Sequence, residues 1–149
     1  IFLDTVQPGS HAGQICPRRI AWLQARLEES AGQPVFVFMH HAPCRVGIAS
    51  MDAIALAEAP ALLGLLRRHG NVRQIFFGHL HRPLSGSWQG IPFSALPAIN
   101  HQAALDLSGN AETILGTDED PAYGISLIGP DSVVVHTQVC GRPYRTFPL

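Results

Sequence analysis

The chain has 149 residues, of which 46% are hydrophobic and only 14% charged, and it carries a formal net charge of −1. Its length suits a single folded domain with a real core, and its near-neutral charge argues against nucleic acid or an anionic membrane as an electrostatic partner. No apolar run approaches the roughly 20 residues of a membrane span, and charged content well below the usual quarter points to a face left uncovered.

Taken in chain order, Ile1 to Leu3 reads as a strand stub, and a loop rich in Pro, Gly and Ser runs from Gln7 to Gly13. Pro17 opens a helix at its first turn. The stripe Ile20, Leu23 and Leu27 carries it to about Ser30. Val35 to Met39 is an apolar strand, followed by a Pro- and Gly-bearing loop from His41 to Ala49. Ser50 reads as the N-cap of a helix from Met51, which Pro60 restarts or kinks before Gly70 ends it. Gln74 to Phe77 is the second core strand, and the strand–helix alternation so far predicts parallel pairing. Beyond His81 the character changes. Leu84–Gln89, Ile91–Leu96, Gly124–Ile128 and Ser132–Val139 read as short strands, with turns at Gln89-Gly90 and Gly129-Pro130-Asp131. Leu107 to Asp120 reads as a surface loop. The expectation is one α/β domain, with a strand/helix part over 1–83 and a mainly β part over 84–149 that forms a second, antiparallel sheet facing the first.

Both core strands run directly into histidines: Val35–Met39 into His40-His41, and Gln74–Phe77 into Gly78-His79-Leu80-His81. Strand ends are fixed by the core, and α/β sheets place their ligand crevices there. In extended chain, residues two apart point to the same side, so His79 and His81 are expected to share one pocket. Neutral imidazole is the commonest protein metal ligand, and the joint pattern reads as part of a metal site. His11, His69 and His136 lack that context. Asp4 belongs to another strand end, and Asp52 reads as a helix-terminal acid. Cys16, Cys44 and Cys140 are odd in number and form no C-x-x-C pair, which favours a reducing, cytoplasmic setting. Cys44 reads as a partly buried loop thiol.

The order Met39-His40-His41-Ala42-Pro43, then Gly78-His79-Leu80-His81, resembles the calcineurin-like metallophosphoesterases, and most closely their class III cyclic-nucleotide phosphodiesterase and glycerophosphodiesterase branch. Leu3-Asp4-Thr5 with Gly9, Gly13 and Ile20-Ala21-Trp22-Leu23 is similar to the strand, loop and helix that precede the H-H-x-P strand of that family. Leu96-Pro97-Ala98-Ile99-Asn100-His101-Gln102 resembles its strand after G-H-x-H. The family's D-x-H, G-D and G-N-H motifs do not occur in the chain. The resemblance therefore implies the C-terminal part of a four-layer α/β/β/α sandwich, about half of which this chain would supply.

By that resemblance, His40 and His79 would hold one metal and His81 the other, while His41 would orient a ligand or approach the substrate. His101 would lie near the phosphate. With the proton donor of G-N-H lacking, no catalytic residue is assigned. An intact parent would use two divalent ions, Fe, Mn, Zn or Co, to hydrolyse a small phosphodiester, either a cyclic nucleotide or a glycerophosphodiester. Two such cations about 3.5 Å apart repel by roughly 19 kcal/mol at an effective dielectric of about 20. Neutral imidazoles offset none of that, so this chain alone is expected to hold at most one ion, weakly, and to be inactive. Two other readings stay open: a non-catalytic phosphoesterase-fold interaction scaffold, and a mononuclear zinc-binding module using His40, His79 and His81. The partner expectation is a homo-oligomer, or a segment supplying the N-terminal half.

Overall fold

The protein is described by a computed structural model over residues 1–141, 143 and 145–148. Its elements in chain order are β1 (Phe2–Leu3), α1 (Pro17–Glu29), β2 (Val35–Met39), α2 (Ala49–Asp52), α3 (Ala59–His69), β3 (Val72–Phe77), β4 (Leu84–Trp88), β5 (Ile91–Ala95), β6 (Gln102–Ala103), β7 (Gly116–Thr117), β8 (Ala122–Ile128) and β9 (Val133–Val139).

Five strands form one sheet in the order β1-β2-β3-β5-β4. The first four pair in parallel, and β4 closes the edge antiparallel to β5. Val35, Val37 and Met39 are buried while Phe38 is 38% exposed, so β2 alternates instead of burying both faces. Ile75 and Phe77 of β3 pair with Val37 and Met39 and add to the covered face. Leu23 and Leu27 of α1, with Leu62, Leu65 and Leu66 of α3, complete the core there. On the other face Phe2, Phe38 and Phe76 stack as a ladder, with successive rings 4.9 Å apart.

The second half departs from the sequence expectation. Leu84–Trp88 and Ile91–Ala95 join the first sheet, and among the described residues only β8–β9 and the short pair β6–β7 lie outside it. The cause is local and tertiary together. Gln89 and Gly90 both take positive φ (47° and 90°), which makes a tight hairpin with strand-compatible twist. Phe93 and Ala95 then pair with Ile75 and Phe77 and are buried beside them. The β8–β9 hairpin is the antiparallel remainder, and Arg73 donates to the carbonyls of Gly129 and Pro130 at its tip.

The expected helix from Met51 is also two pieces. Ser50 lies inside α2, and Ile48 occupies the N-cap with no side-chain cap. Asp52 instead reaches back to accept from the main-chain N–H groups of Val46 (2.7 Å) and Gly47 (3.2 Å), which ties down the loop after β2. Helix α3 starts afresh with Pro60 in its first turn and ends at Gly70, whose φ of 76° forms a left-handed cap.

Candidate metal centre

Because Met39 and Phe77 are register partners, the residues just beyond them emerge side by side. Gly78 N–H donates to the His40 carbonyl at 3.1 Å, so the pairing continues one step past the strands. The chain then turns sharply: Leu80 N–H donates to the Gly78 carbonyl at 2.7 Å across His79, a γ-turn. His79 has φ 66° and His81 φ 49°. The extended geometry expected for this pair is therefore replaced by two left-handed residues. Such conformations cost on the order of 1–3 kcal/mol each and concentrate at functional sites. Histidine is among the few non-glycine residues enriched there. Even so, His40, His79 and His81 line one cavity of about 500 Å³.

The geometry brings His40, His41 and His79 together with one donor atom each inside 4.8 Å. Nδ1 of His79 lies 3.1 Å from Nε2 of His40. Nε2 of His79 is buried with no hydrogen-bond partner among the described residues. His81 stands apart from this group of three. Its Nδ1–H donates to the His101 carbonyl at 3.0 Å, which leaves the lone pair on Nε2. The rings of His81 and His101 lie 4.5 Å apart. Burial, helped by the neighbouring charges of His41, His40, His81 and His11, lowers the His79 pKa to about 4. Burial and then His81 lower that of His40. For His41, burial and His40 outweigh a hydrogen bond to the His11 main chain and the charge of Asp4. These imidazoles are thus neutral at neutral pH, the form that ligates metal.

His11 escaped the sequence reading. It lies in the loop before α1, far from either strand-end motif, yet it lines a second cavity of about 360 Å³ together with His79, His81 and His101. Six of the eight histidines thus gather at one end of the sheet. The acids do not. Asp4 is exposed and paired with Arg19, and Asp52 is engaged by Val46, Gly47 and Arg45. Among the described residues, no Asp, Glu, Lys or Arg lines either cavity. Cys44 is outside the cluster, and burial, with Asp52 nearby, pushes its thiol pKa up.

This donor set fits one cation. Two nitrogens on a tetrahedral ion at ~2.0–2.1 Å sit about 3.3 Å apart, close to the 3.1 Å between His79 and His40. With Nδ1 of His79 facing the ion, the proton of neutral His79 sits on Nε2, which is buried with no hydrogen-bond partner among the described residues. Among the described residues, a second cation has no anion lining these cavities to offset its repulsion.

No protein-family model matches the chain. It is 37% identical over 139 residues to a probable cyclic nucleotide phosphodiesterase of Rhodopseudomonas palustris, covering 91% of this chain and 50% of that protein. It is 32% identical over 139 residues to a glycerophosphodiester phosphodiesterase of Enterobacter lignolyticus, covering 93% of this chain and 46% of that one. The chain thus spans about half the length of the curated relatives it matches. Among solved structures, a dimetal phosphatase of Danio rerio superposes on 85% of this chain and 36% of its own length, with a TM-score of 0.61 at 21% identity. That likeness is one of fold.

Proposed function

The chain belongs to the calcineurin-like metallophosphoesterase superfamily, beside the cyclic nucleotide and glycerophosphodiester phosphodiesterases, and from that premise we propose that it carries the histidine side of a metal-dependent phosphodiesterase centre. His40 and His79 hold one divalent ion, and His81 presents its Nε2 to a second position that needs a carboxylate from outside this chain. A divalent ion there supplies positive charge to the phosphoryl oxygens and makes a nearby water more acidic. The protein's own part is placement. The left-handed residues His79 and His81 both line the two cavities, and the His101 carbonyl fixes the tautomer of His81. The cavities on either side carry no charged side chain, so the phosphate finds neither a basic clamp nor acidic repulsion from the described residues. The substrate in this reading is a small phosphodiester, either a cyclic nucleotide or a glycerophosphodiester.

The observation that carries the proposal is the 3.1 Å approach of Nδ1 of His79 to Nε2 of His40 at the end of the sheet, a spacing that suits two nitrogens on one ion. Calorimetric titration of the chain with Zn²⁺ and Co²⁺ tests it. One ion bound per chain, lost in His79→Ala, is the expected result; no binding by the unaltered chain would refute it. The same half-set of ligands favours an inactive isolated chain. Metal-independent capture of a protein partner, with no ion bound, would move the assignment to the interaction scaffold.

A further inference from the structure

We infer that Thr5 and Gly13 are positioning residues for this histidine cluster: together they seat His41, which buttresses the His79 imidazole. The inference rests on the metal-centre reading and deepens it. Thr5 is 1% exposed and His41 4%. Oγ1 of Thr5 lies 2.7 Å from Nδ1 of His41, and it also accepts the main-chain N–H of His41 at 3.4 Å. A hydroxyl has one proton to donate. With that N–H on one lone pair, the hydroxyl is free to turn its proton to Nδ1, and as part of this inference it does so, which leaves the ring proton of neutral His41 on Nε2. His41 is then a wall of the cluster, not a ligand, although its ring nitrogens lie close enough to count. Its ring sits 4.6 Å from that of His79 and 4.9 Å, edge-on, from that of His40.

Gly13 packs against the same ring. A Cβ at that position would fall 2.4 Å from Cγ of His41, 2.6 Å from its Cβ and 2.7 Å from its Nδ1. No side chain fits there unless the ring moves. Glycine is required here by space, since the position is not among those with positive φ. Nor can Gly13 easily yield: its N–H donates to the Ala55 carbonyl at 3.3 Å, and its carbonyl accepts from Ala57 at 3.1 Å. The Thr5 carbonyl accepts from Gln14 at 2.9 Å, which locks the two supports to each other. The loop before α1 thus holds a ring that belongs to the end of β2.

The test uses the chain as it stands, metal-free, with long-range ¹H–¹⁵N spectra of its imidazoles recorded at mildly alkaline pH. Unaltered His41 should show a single tautomer protonated at Nε2. Thr5→Val, which keeps shape and removes the hydroxyl, should mix the tautomers and shift the His79 resonances; Thr5→Ser should restore both, with His136 unchanged throughout. A Thr5→Val spectrum matching the unaltered protein at His41 or His79 would overturn the inference. Co²⁺ titration by visible absorption supplies the second arm. Thr5→Val and Gly13→Ala should weaken binding about 10–100-fold, as loss of a support around a ligand does, while Thr5→Ser stays close to the unaltered chain. Equal affinity in Thr5→Val refutes the coupling to the metal site. An unaltered chain that binds no Co²⁺ refutes the metal reading instead, and the imidazole spectra still decide the positioning role. Should Gly13→Ala fail to fold by circular dichroism, the Thr5 pair carries the test.

Discussion

The His79 side chain shows how much one residue is asked to do at this site. It sits on a strained γ-turn, faces His40 through Nδ1, and keeps Nε2 buried without a partner. Its pKa is lowered from 6.5 to about 4, chiefly by burial, so the folded chain resists its protonation while the unfolded chain does not. Between those two values the unfolded state binds more protons, and stability falls as pH drops from 6.5 toward 4. Urea midpoints of the metal-free chain across that window should decline, and His79→Ala should flatten the decline; an equally steep loss in the variant would show that other groups control it. Metal binding competes with the same proton and should weaken over the same range. His79→Ala should cost at least about tenfold in Zn²⁺ affinity through loss of a direct ligand. His136→Ala, on the exposed β9, should change it little.

At the level of elements, the parts that position the site were legible where local signals dominate. The runs Val35–Met39 and Gln74–Phe77 are apolar enough to declare themselves, and the structure extends the second only to Val72. Pro17 and Gly70 mark their helix ends as their backbone preferences dictate. Gly70 offers a clean measurement, because a Cβ there meets nothing within 4 Å while φ is 76°. Gly70→Ala should therefore lower stability by about 1 kcal/mol through conformation alone, read as a shift in urea midpoint with unchanged slope. What stayed hidden depends on distant partners. Nothing local shows that Ile91–Ala95 lies against β3, since Phe93 and Ala95 acquire their burial only from Ile75 and Phe77. Likewise the burial of His41 comes from Thr5, 36 residues earlier, and His11 reaches the cluster through a loop with no periodic signal.

For the whole molecule, the exposed apolar side chains and the histidine end lead to different predictions. Phe2 is 79% exposed at the edge of the stacked phenylalanines, and Ile125, Leu127 and Val134 of the β8–β9 hairpin are 48%, 56% and 45% exposed. Apolar surface on that scale accounts for the low charge content and should drive association. Light scattering at high micromolar concentration should show a dimer or larger, reduced by Phe2→Lys with Leu127→Lys; a monomer throughout would count against it. The proposed activity is tested at the histidine end. With no carboxylate lining either cavity among the described residues, a second cation has nothing there to offset its repulsion, so hydrolysis of bis(p-nitrophenyl) phosphate with excess Mn²⁺ should be negligible. A fused N-terminal segment bearing the D-x-H, G-D and G-N-H motifs that the family resemblance implies would supply both the anionic ligands and a proton donor. That fusion should gain chelator-sensitive hydrolysis and lose it again by orders of magnitude on His79→Ala. Full activity from the present chain would refute the requirement for an outside carboxylate. A folded fusion that binds two ions yet hydrolyses nothing would turn the assignment toward an interaction scaffold, because positioning and charge would both be in place without chemistry.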